Sequence, residues 1–320
     1  MWSKRRQEAE QAKDKRVQLG PGGIYIPPLG VGTWAWGDRM LWGYGRGGFT
    51  DADLQEAFDV SMEAGVNFFD TAEVYGSGRS EQLLGRFIQS TDKLVITATK
   101  FMPYPWRLRG KSLLSALKDS LERLGVERVD LYQMHWPFPP IPIERWMEAM
   151  ARAMEEDLIG DVGVSNYSQE QIKRAQTALS QFDIPLVSNQ VDYSLLDRRV
   201  ERSGLLKACD EMGVSVIAYS PLGQGLLTGK YGADAPPPGL RGVRTSRKQL
   251  DRLAGLLSLL QEIGIKHGGK TPAQVAINWT IQKGAIPIPG AKSGRQAREN
   301  LGALGWQLDE EDILALDKAT

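Results

Sequence analysis

Apolar and polar positions along this chain follow two alternating rhythms. Short apolar runs occur at 29–33 (LGVGT), 67–72 (NFFDTA), 94–100 (LVITATK), 130–136 (DLYQMHW), 161–166 (DVGVSN), 186–191 (LVSNQV), 215–220 (SVIAYS) and 285–291 (AIPIPGA). Runs of that length, rich in β-branched and aromatic residues and bounded by turn formers, predict strands. Between them, apolar residues recur at steps of three and four in DLQEAFDVSMEAG, EQLLGRFIQ, SLLSALKDSLERLG, RWMEAMARAMEEDLIG, QEQIKRAQTAL, ERSGLLKACDEMG and TPAQVAINWTIQKG, which predicts helices that bury one stripe. Gly65, Gly125, Gly160, Gly213 and Gly284 stand where such helices would stop, glycine being the residue that takes the left-handed turn at a helix end without steric cost. Strands alternating with helices predict parallel βαβ units, and eight of them predict a closed (β/α)8 TIM barrel, an α/β fold. An N-terminal β-hairpin is expected in RVQLGPGGIYI around Pro21, Gly22 and Gly23. A long Gly- and Pro-rich loop at 222–245 follows the seventh strand, with an extra helix near 247–266 and a closing C-terminal helix, EEDILALDKA. So long an irregular insertion is usually functional or mobile, and two readings of it stay open: a lid that folds over a bound pyrophosphate, or a static insertion.

Composition narrows the function more than the fold. Lysine plus arginine and aspartate plus glutamate number 39 each, so no overall field favours nucleic acid or an anionic membrane. No apolar run reaches the roughly 20 residues that span a bilayer. Residues 1–16 are basic and polar and are expected to be a flexible extension ahead of one domain at 17–320. Cys209 is the single cysteine; no intrachain disulfide can form, so a reducing compartment is expected. That is the cytoplasm, or the plastid stroma if the leading residues are what remains of a trimmed import sequence. His135 and His267 are the only histidines, too few for a multi-histidine metal centre, and no metal is expected.

A parallel barrel gathers the C-terminal ends of its strands on one face, where barrel enzymes work. Polar residues at those ends are Asp70 with Tyr75 just beyond, Lys100, His135, Ser165 and Asn166, Asn189 and Gln190, and Tyr219 and Ser220. An ordinary barrel needs none of them there.

These residues lie in a series of motifs: GVNFFDTAEVYG followed by EQLLG, then TATK, DLYQMHWP, VGVSNYS, SNQVDYSLL, AYSPLGQGLLTGKY and PIPGAKSGRQARENLGAL. In this order, from about residue 17 to the end, they resemble the aldo-keto reductases, and most closely the plant and cyanobacterial branch that includes pyridoxal reductase. The resemblance implies NADPH-dependent reduction of an aldehyde or ketone, with Asp70, Tyr75, Lys100 and His135 as catalytic tetrad. Physically, hydride delivery to a carbonyl carbon leaves an alkoxide that needs a positioned acid, and Tyr75 can supply the proton. An ammonium about 4 Å away is worth about 4 kcal/mol in a partly screened site, so Lys100 is expected to lower the phenol pKa, with Asp70 holding the lysine charged. His135 is expected to donate a hydrogen bond to the carbonyl oxygen.

For the cofactor, GYGRGG at 43–48 fits GxGxxG only formally, because no clean strand precedes it, and it is read as a loop. Barrels hold phosphates with the loops after strands seven and eight. Backbone amides at Leu222, Gly223 and Gln224, beside Ser220, suit a pyrophosphate. The resemblance implies that Ser165, Asn166 and Gln190 hold the nicotinamide carboxamide, that Tyr219 stacks on its ring, and that Gly32, Thr33 and Trp34 join the site. Lys292, Ser293 and Arg295 near a helix start would favour a 2′-phosphate, hence NADPH, with Gln296, Glu299 and Asn300 at the adenine and its ribose. Trp34, Trp36, Trp42, Tyr44, Trp106 and Trp136 fall on segments of the active face, where aromatic walls suit a flat small-molecule carbonyl compound. Half of them at most are expected to touch it, and pyridoxal is the specific candidate. Two other readings stay open: a nucleotide-bound regulatory subunit resembling potassium-channel β subunits, and a Schiff-base aldolase on Lys100.

Overall fold

The computed structural model describes residues 16–46, 48–232 and 247–320. The chain enters through an antiparallel hairpin of β1 (Val17–Gln18) and β2 (Tyr25–Ile26). Eight parallel strands follow: β3 (Val31–Gly32), β4 (Phe68–Asp70), β5 (Ile96–Phe101), β6 (Val129–Met134), β7 (Ile159–Ser165), β8 (Leu186–Asp192), β9 (Ser215–Tyr219) and β10 (Ala285–Pro287). Each falls on one of the eight apolar runs. Neighbours in sequence are neighbours in the sheet. The ends of the sheet meet where Gly30 N donates to Pro287 O at 3.0 Å and Gly32 N to Pro289 O at 3.2 Å, with a parallel bridge between Gly32 and Gly290. The barrel is therefore closed.

The outer ring comprises α1 (Asp51–Glu63), α2 (Arg79–Gln89), α3 (Gly110–Leu124), α4 (Ile143–Glu155), α5 (Gln169–Ser180), α6 (Arg199–Arg202), α7 (Leu205–Glu211), α8 (Arg247–Lys266), α9 (Pro272–Gln282), α10 (Gly294–Leu301) and α11 (Glu310–Ala319). Local sequence explains their limits. Thr271 caps α9 by accepting from Gln274 N, with Pro272 at the first helical position, where a missing N–H costs nothing. Ser168 and Gln171 form the same reciprocal box on α5, and α3 ends at Gly125 with φ 64°.

Two helix ends differ from the expectation. The fourth helical run stops at Glu155, and Gly160 lies inside β7. The left-handed residue there is Asp157 at φ 58°, its carboxylate paired with Arg128. The run ERSGLLKACDEMG is broken into α6 and α7 at Gly204, with φ 74°. Arg16, the last residue of the expected extension, donates to Tyr25 O at 3.2 Å and Asn67 Oδ1 at 3.1 Å; residues 1–15 lie outside the described residues. Of the 222–245 loop, Gly223–Thr228 form a 3-10 turn, and 233–246, on which the lid expectation mostly rests, also lie outside them.

The hairpin plugs the N-terminal end of the barrel. Its Leu19, Ile24 and Ile26 form one buried cluster with inward residues of six barrel strands, among them Phe68, Leu131 and Ile217. Gly20 N donates to Ser215 Oγ at 2.9 Å, and Ile24 N to Asp161 Oδ2 at 2.8 Å. Glycine is needed at position 23, where a Cβ would stand 1.9 Å from Leu19 O. The larger core fills the layer between strands and helices. It includes Cys209, whose thiol burial pushes up to about 11. No helix among the described residues is long and apolar enough to cross a membrane.

Candidate active site

With one end plugged, the opposite end carries the polar residues. Asp70 ends β4, and the register sets Asp70 beside Ala98, Lys100 beside Gln133, and Ser165 beside Gln190. Lys100 Nζ donates to Asp70 Oδ1 and, at 2.7 Å, to Thr71 O. The other carboxylate oxygen, Asp70 Oδ2, accepts from Gln133 Nε2 at 3.0 Å and Gln190 Nε2 at 2.8 Å. All four side chains are buried. Removing such a pair from water is costly, and the cost is offset here because both carboxylate oxygens receive charge-assisted or amide hydrogen bonds. Burial lowers the Lys100 pKa, opposed by Asp70 and Glu81. Lys100 lies behind Asp70, off the cavity wall.

Tyr75 opens a turn in which Gly76, Ser77 and Gly78 have φ 54°, 55° and 89°. Glycine takes this conformation without steric cost at positions 76 and 78, Ser77 alone carries a Cβ in it, and the surroundings fix the turn. A Cβ on Gly76 would lie 2.9 Å from the carbonyl of Gly37. Behind the turn, Ser80 Oγ shares hydrogen bonds with Thr33 Oγ1 at 2.7 Å and Thr71 Oγ1 at 2.9 Å. On its other side, Glu73 takes both Arg107 nitrogens, at 2.5 and 3.0 Å, and Met102 N at 2.6 Å. This ties the loop after β5 to the segment that carries Tyr75.

Burial, and then the charge of Asp70, push the Tyr75 pKa well above the usual phenol value. The expected lowering by Lys100 does not occur. Its ammonium is bonded to Asp70 and Thr71 O and stands 5.0 Å from the Tyr75 ring centroid, and desolvation of the phenol together with the Asp70 charge decides the sign. His135 follows β6 and meets Tyr75 edge-on, with centroids 5.8 Å apart at 80°. Burial, reinforced by Lys100, pushes its pKa down to about 3. The wall thus presents a neutral phenol and a neutral imidazole. His135 Nδ1 is buried without a hydrogen-bond partner among the described residues.

Tyr75, His135 and Asp70 border a cavity of about 450 Å3. Gly32, Thr33 and Trp34 line it from the end of β3, Ser165 and Asn166 from β7, and Gln190 from β8. Tyr219, Ser220, Leu222 and Gln224 follow from β9 and its loop; Gln296, Glu299 and Asn300 come from along α10, and Lys292 from just before it. Asn166, at φ 62°, donates to His135 O at 3.2 Å and Ser165 Oγ at 3.0 Å and accepts from Tyr219 OH at 3.1 Å.

Several expected residues have other work. Gln190 spends its amide nitrogen on Asp70 and Gln133. Gly223 lies off the cavity wall, its N–H donating to Ser220 O at 2.8 Å. Ser293 caps α10, accepting from Gln296 N at 3.4 Å. Arg295, with a side chain 69% exposed, reaches among the described residues only Glu299, at 4.0 Å. Lys230, Tyr231 and Gln133 were not singled out from the sequence. Lys230 and Tyr231 line the cavity, and Gln133 stands two residues before His135 on one strand face, where period-two alternation points to it.

The aromatic residues divide as packing dictates. Trp34, Trp42 and Trp136 line the cavity, half of those proposed. Trp36 is fully buried, donating to Ala291 O at 2.9 Å; Tyr44 bonds Asp51; Trp106 is exposed and stacked on Tyr104. The donor set fits a phosphorylated nucleotide. Lys230 and Lys292 bring cations to the wall, and the left-handed backbone at Ser220, Gln224 and Gly225, which line it, is the conformation from which amide nests for anions are made.

Fold and site together define a (β/α)8 barrel enzyme whose chemistry sits at the C-terminal strand ends. Residues 28–320 match the model of the aldo/keto reductase family; the chain belongs to that family and is an oxidoreductase. It is 42% identical over 318 residues to the chloroplastic pyridoxal reductase of Arabidopsis thaliana, covering 95% of this chain and 86% of that protein. It is 32% identical to the L-glyceraldehyde 3-phosphate reductase of Escherichia coli K12, covering 89% of this chain and 86% of the relative. An aldo/keto reductase from Klebsiella pneumoniae, solved in complex with NADP and acetate, is similar in structure with a TM-score of 0.75 and 27% identity, covering 95% of this chain and 94% of that one.

Proposed function

We propose that the chain reduces an aldehyde or ketone with NADPH, Tyr75 acting as the general acid. NADPH supplies the hydride when bound. The observation that carries the reading is the juxtaposition, on one cavity wall, of a phenol and an imidazole that burial keeps neutral. The Tyr75 phenol borders the cavity protonated at neutral pH and can give its proton to the developing alkoxide, a far stronger base. Neutral His135 orients the carbonyl oxygen by hydrogen bonding. Asp70 and Lys100, fixed by Gln133 and Gln190, form a positioning pair beneath Tyr75. Asn166 and Ser165, bonded to one another and to the His135 and Gln190 carbonyls, would hold the nicotinamide carboxamide with amide and hydroxyl groups, and Lys292, on the cavity wall, would bind the 2′-phosphate. Lys100 is fully buried and does not line the cavity, which argues against a Schiff-base aldolase.

Pyridoxal is the substrate we favour, on the aromatic wall of Trp34 and Trp136 and on the similarity to the plant pyridoxal reductase. The test is NADPH oxidation with a panel of aldehydes including pyridoxal, run beside Tyr75→Phe. Losing the acid should lower turnover by about 10²- to 10⁴-fold while nucleotide still binds. Turnover of other aldehydes with none of pyridoxal would remove the specific substrate. No turnover in either protein, with nucleotide tightly bound, would move the reading to a regulatory subunit.

A further inference from the structure

The layer between strands and helices behind the Tyr75 turn holds a carboxylate that the proposed chemistry does not use. Glu81, the third residue of α2, is fully buried on a helix whose other buried residues are Ser80, Leu83, Leu84, Gly85 and Phe87. Its Oε1 accepts from Thr99 Oγ1 at 2.6 Å and its Oε2 from Arg123 Nε at 2.6 Å, and Arg123 Nη2 goes on to donate to Ser120 Oγ at 3.1 Å. A carboxylate in the first turn of a helix is favoured by the helix dipole, but that effect needs no burial, and taking the charge out of water is costly. What burial achieves here is contact on two sides. Thr99 directly precedes Lys100 on β5. The stem of Arg123 packs under Gly78, the residue that closes the Tyr75 turn, where a Cβ would stand 2.8 Å from Arg123 Cδ. The Glu81 charge also reaches Lys100, where it opposes the effect of burial.

We propose that Glu81 is a positioning residue for the reduction: held by Arg123 and Thr99, it locks the turn that carries Tyr75 to the strand that carries Lys100. The inference rests on the reading of Tyr75 as the acid given above. Gly76, Ser77 and Gly78 are left-handed and belong to no α-helix or strand, so the place of the turn is set by its two ends. Glu73 fastens the leading end to the loop after β5, through Met102 N and Arg107. Glu81 fastens the trailing end to β5 itself, through Thr99, and to α3, through Arg123. Proton transfer to the alkoxide requires the phenol within hydrogen-bond reach of it, and a misplacement of about 1 Å can cost about 10²-fold in rate. Glu81 does not line the cavity. It acts through Tyr75 and Lys100 and not on the substrate.

Single-turnover reduction of pyridoxal and of benzaldehyde by the NADPH-loaded protein tests this, in Glu81→Gln, Arg123→Met and Arg123→Lys, each alone and combined with Tyr75→Phe, beside titration of NADPH affinity. Glu81→Gln keeps an acceptor for Thr99 and loses the charge that holds Arg123. It should slow the reaction about tenfold while NADPH affinity stays within about twofold. Arg123→Met should do the same, and Arg123→Lys, which restores a cation, should recover most of the rate. In Tyr75→Phe the acid is gone, so adding Glu81→Gln should slow what remains by less than about twofold. A loss of about tenfold that persists in the Tyr75→Phe background would place the action of Glu81 elsewhere and overturn the inference. So would a rate kept within about twofold in Glu81→Gln alone, however far its thermal midpoint falls. Should Glu81→Gln not fold, the same cycle is run on Arg123→Met, since the Arg123 side chain is 25% exposed and its truncation leaves no buried void. Turnover as fast in Tyr75→Phe as in the wild type would instead remove the acid reading itself, which tells the two failures apart.

Discussion

Replacing His135 by glutamine should change how the protein responds to acid. The His135 pKa is pushed from its ordinary 6.5 to about 3, by burial first and Lys100 second. Between those values the unfolded chain holds a proton on this residue that the folded chain lacks, so stability falls as pH falls from 6.5 toward 3 and is fully present above 6.5. Each pH unit in that window is worth about 1.4 kcal/mol. From pH 6.5 to pH 4 the ring therefore contributes a loss of up to about 3 kcal/mol, somewhat less where solvent reaches its partly exposed edge. Carboxylates and other groups titrate in the same range, but they are common to both proteins and cancel in a difference. The assay is urea unfolding of nucleotide-free wild type and His135→Gln at pH 7 and pH 4. The wild type should lose about 2–3 kcal/mol more than the variant. Parallel losses, within about 0.5 kcal/mol, would mean that the folded chain tolerates an imidazolium at this site. The neutral-imidazole account of the carbonyl contact would then fall.

Two other substitutions probe the scaffold of the site. Gln133→Leu removes one of the two donors to Asp70 Oδ2 and should cost about 1–3 kcal/mol, read as a lowered thermal midpoint. NADPH affinity should be nearly unchanged, because Gln133 does not line the cavity; an unaltered midpoint would mean that Asp70 does not depend on this bond. Gly76→Ala forces a Cβ to within 2.9 Å of the Gly37 carbonyl at φ 54°. It should displace Tyr75 and cut turnover by at least about tenfold, whereas Gly65→Ala, left-handed but with open space around it, should cost only about 1–2 kcal/mol of stability with activity kept. Equal effects of the two on turnover would show that backbone strain alone, and not the contact with Gly37, governs the turn.

The barrel was legible because each buried strand is a short apolar run flanked by turn residues, a local property. Helix ends were less so. Leu158 and Ile159 continue the apolar rhythm of α4 into β7, and only the left-handed Asp157 separates them. Asp70, Tyr75 and His135 could be placed from strand ends alone, since topology brings those ends together. What the sequence concealed depends on side-chain competition in three dimensions. Gln190 is drawn to Asp70, Arg295 points to solvent, and Trp36 packs inward while Trp34, two residues earlier, faces the cavity. The sign of the Tyr75 shift was missed for a related reason. A pairwise Coulomb estimate weighs Lys100 but neither the desolvation of the phenol nor the carboxylate that takes up the ammonium.

The hairpin that closes the base of the barrel has a consequence for how the chain is made. Its partners Asp161 and Ser215 lie 137 and 195 residues downstream of the residues that contact them, and the last wall of the barrel is later still, at β10. At about 5–20 residues per second of synthesis, Gly20 emerges roughly 10–40 s before Ser215 exists to receive its hydrogen bond. Leu19, Ile24 and Ile26 must spend that interval without Ile217, Ile286 and Ile288, which complete the cluster that buries them. The hairpin, made before every strand of the barrel, is thus among the last elements to find its full set of partners, and until then the nascent chain carries an apolar, strand-prone segment that ribosome-associated chaperones are suited to hold.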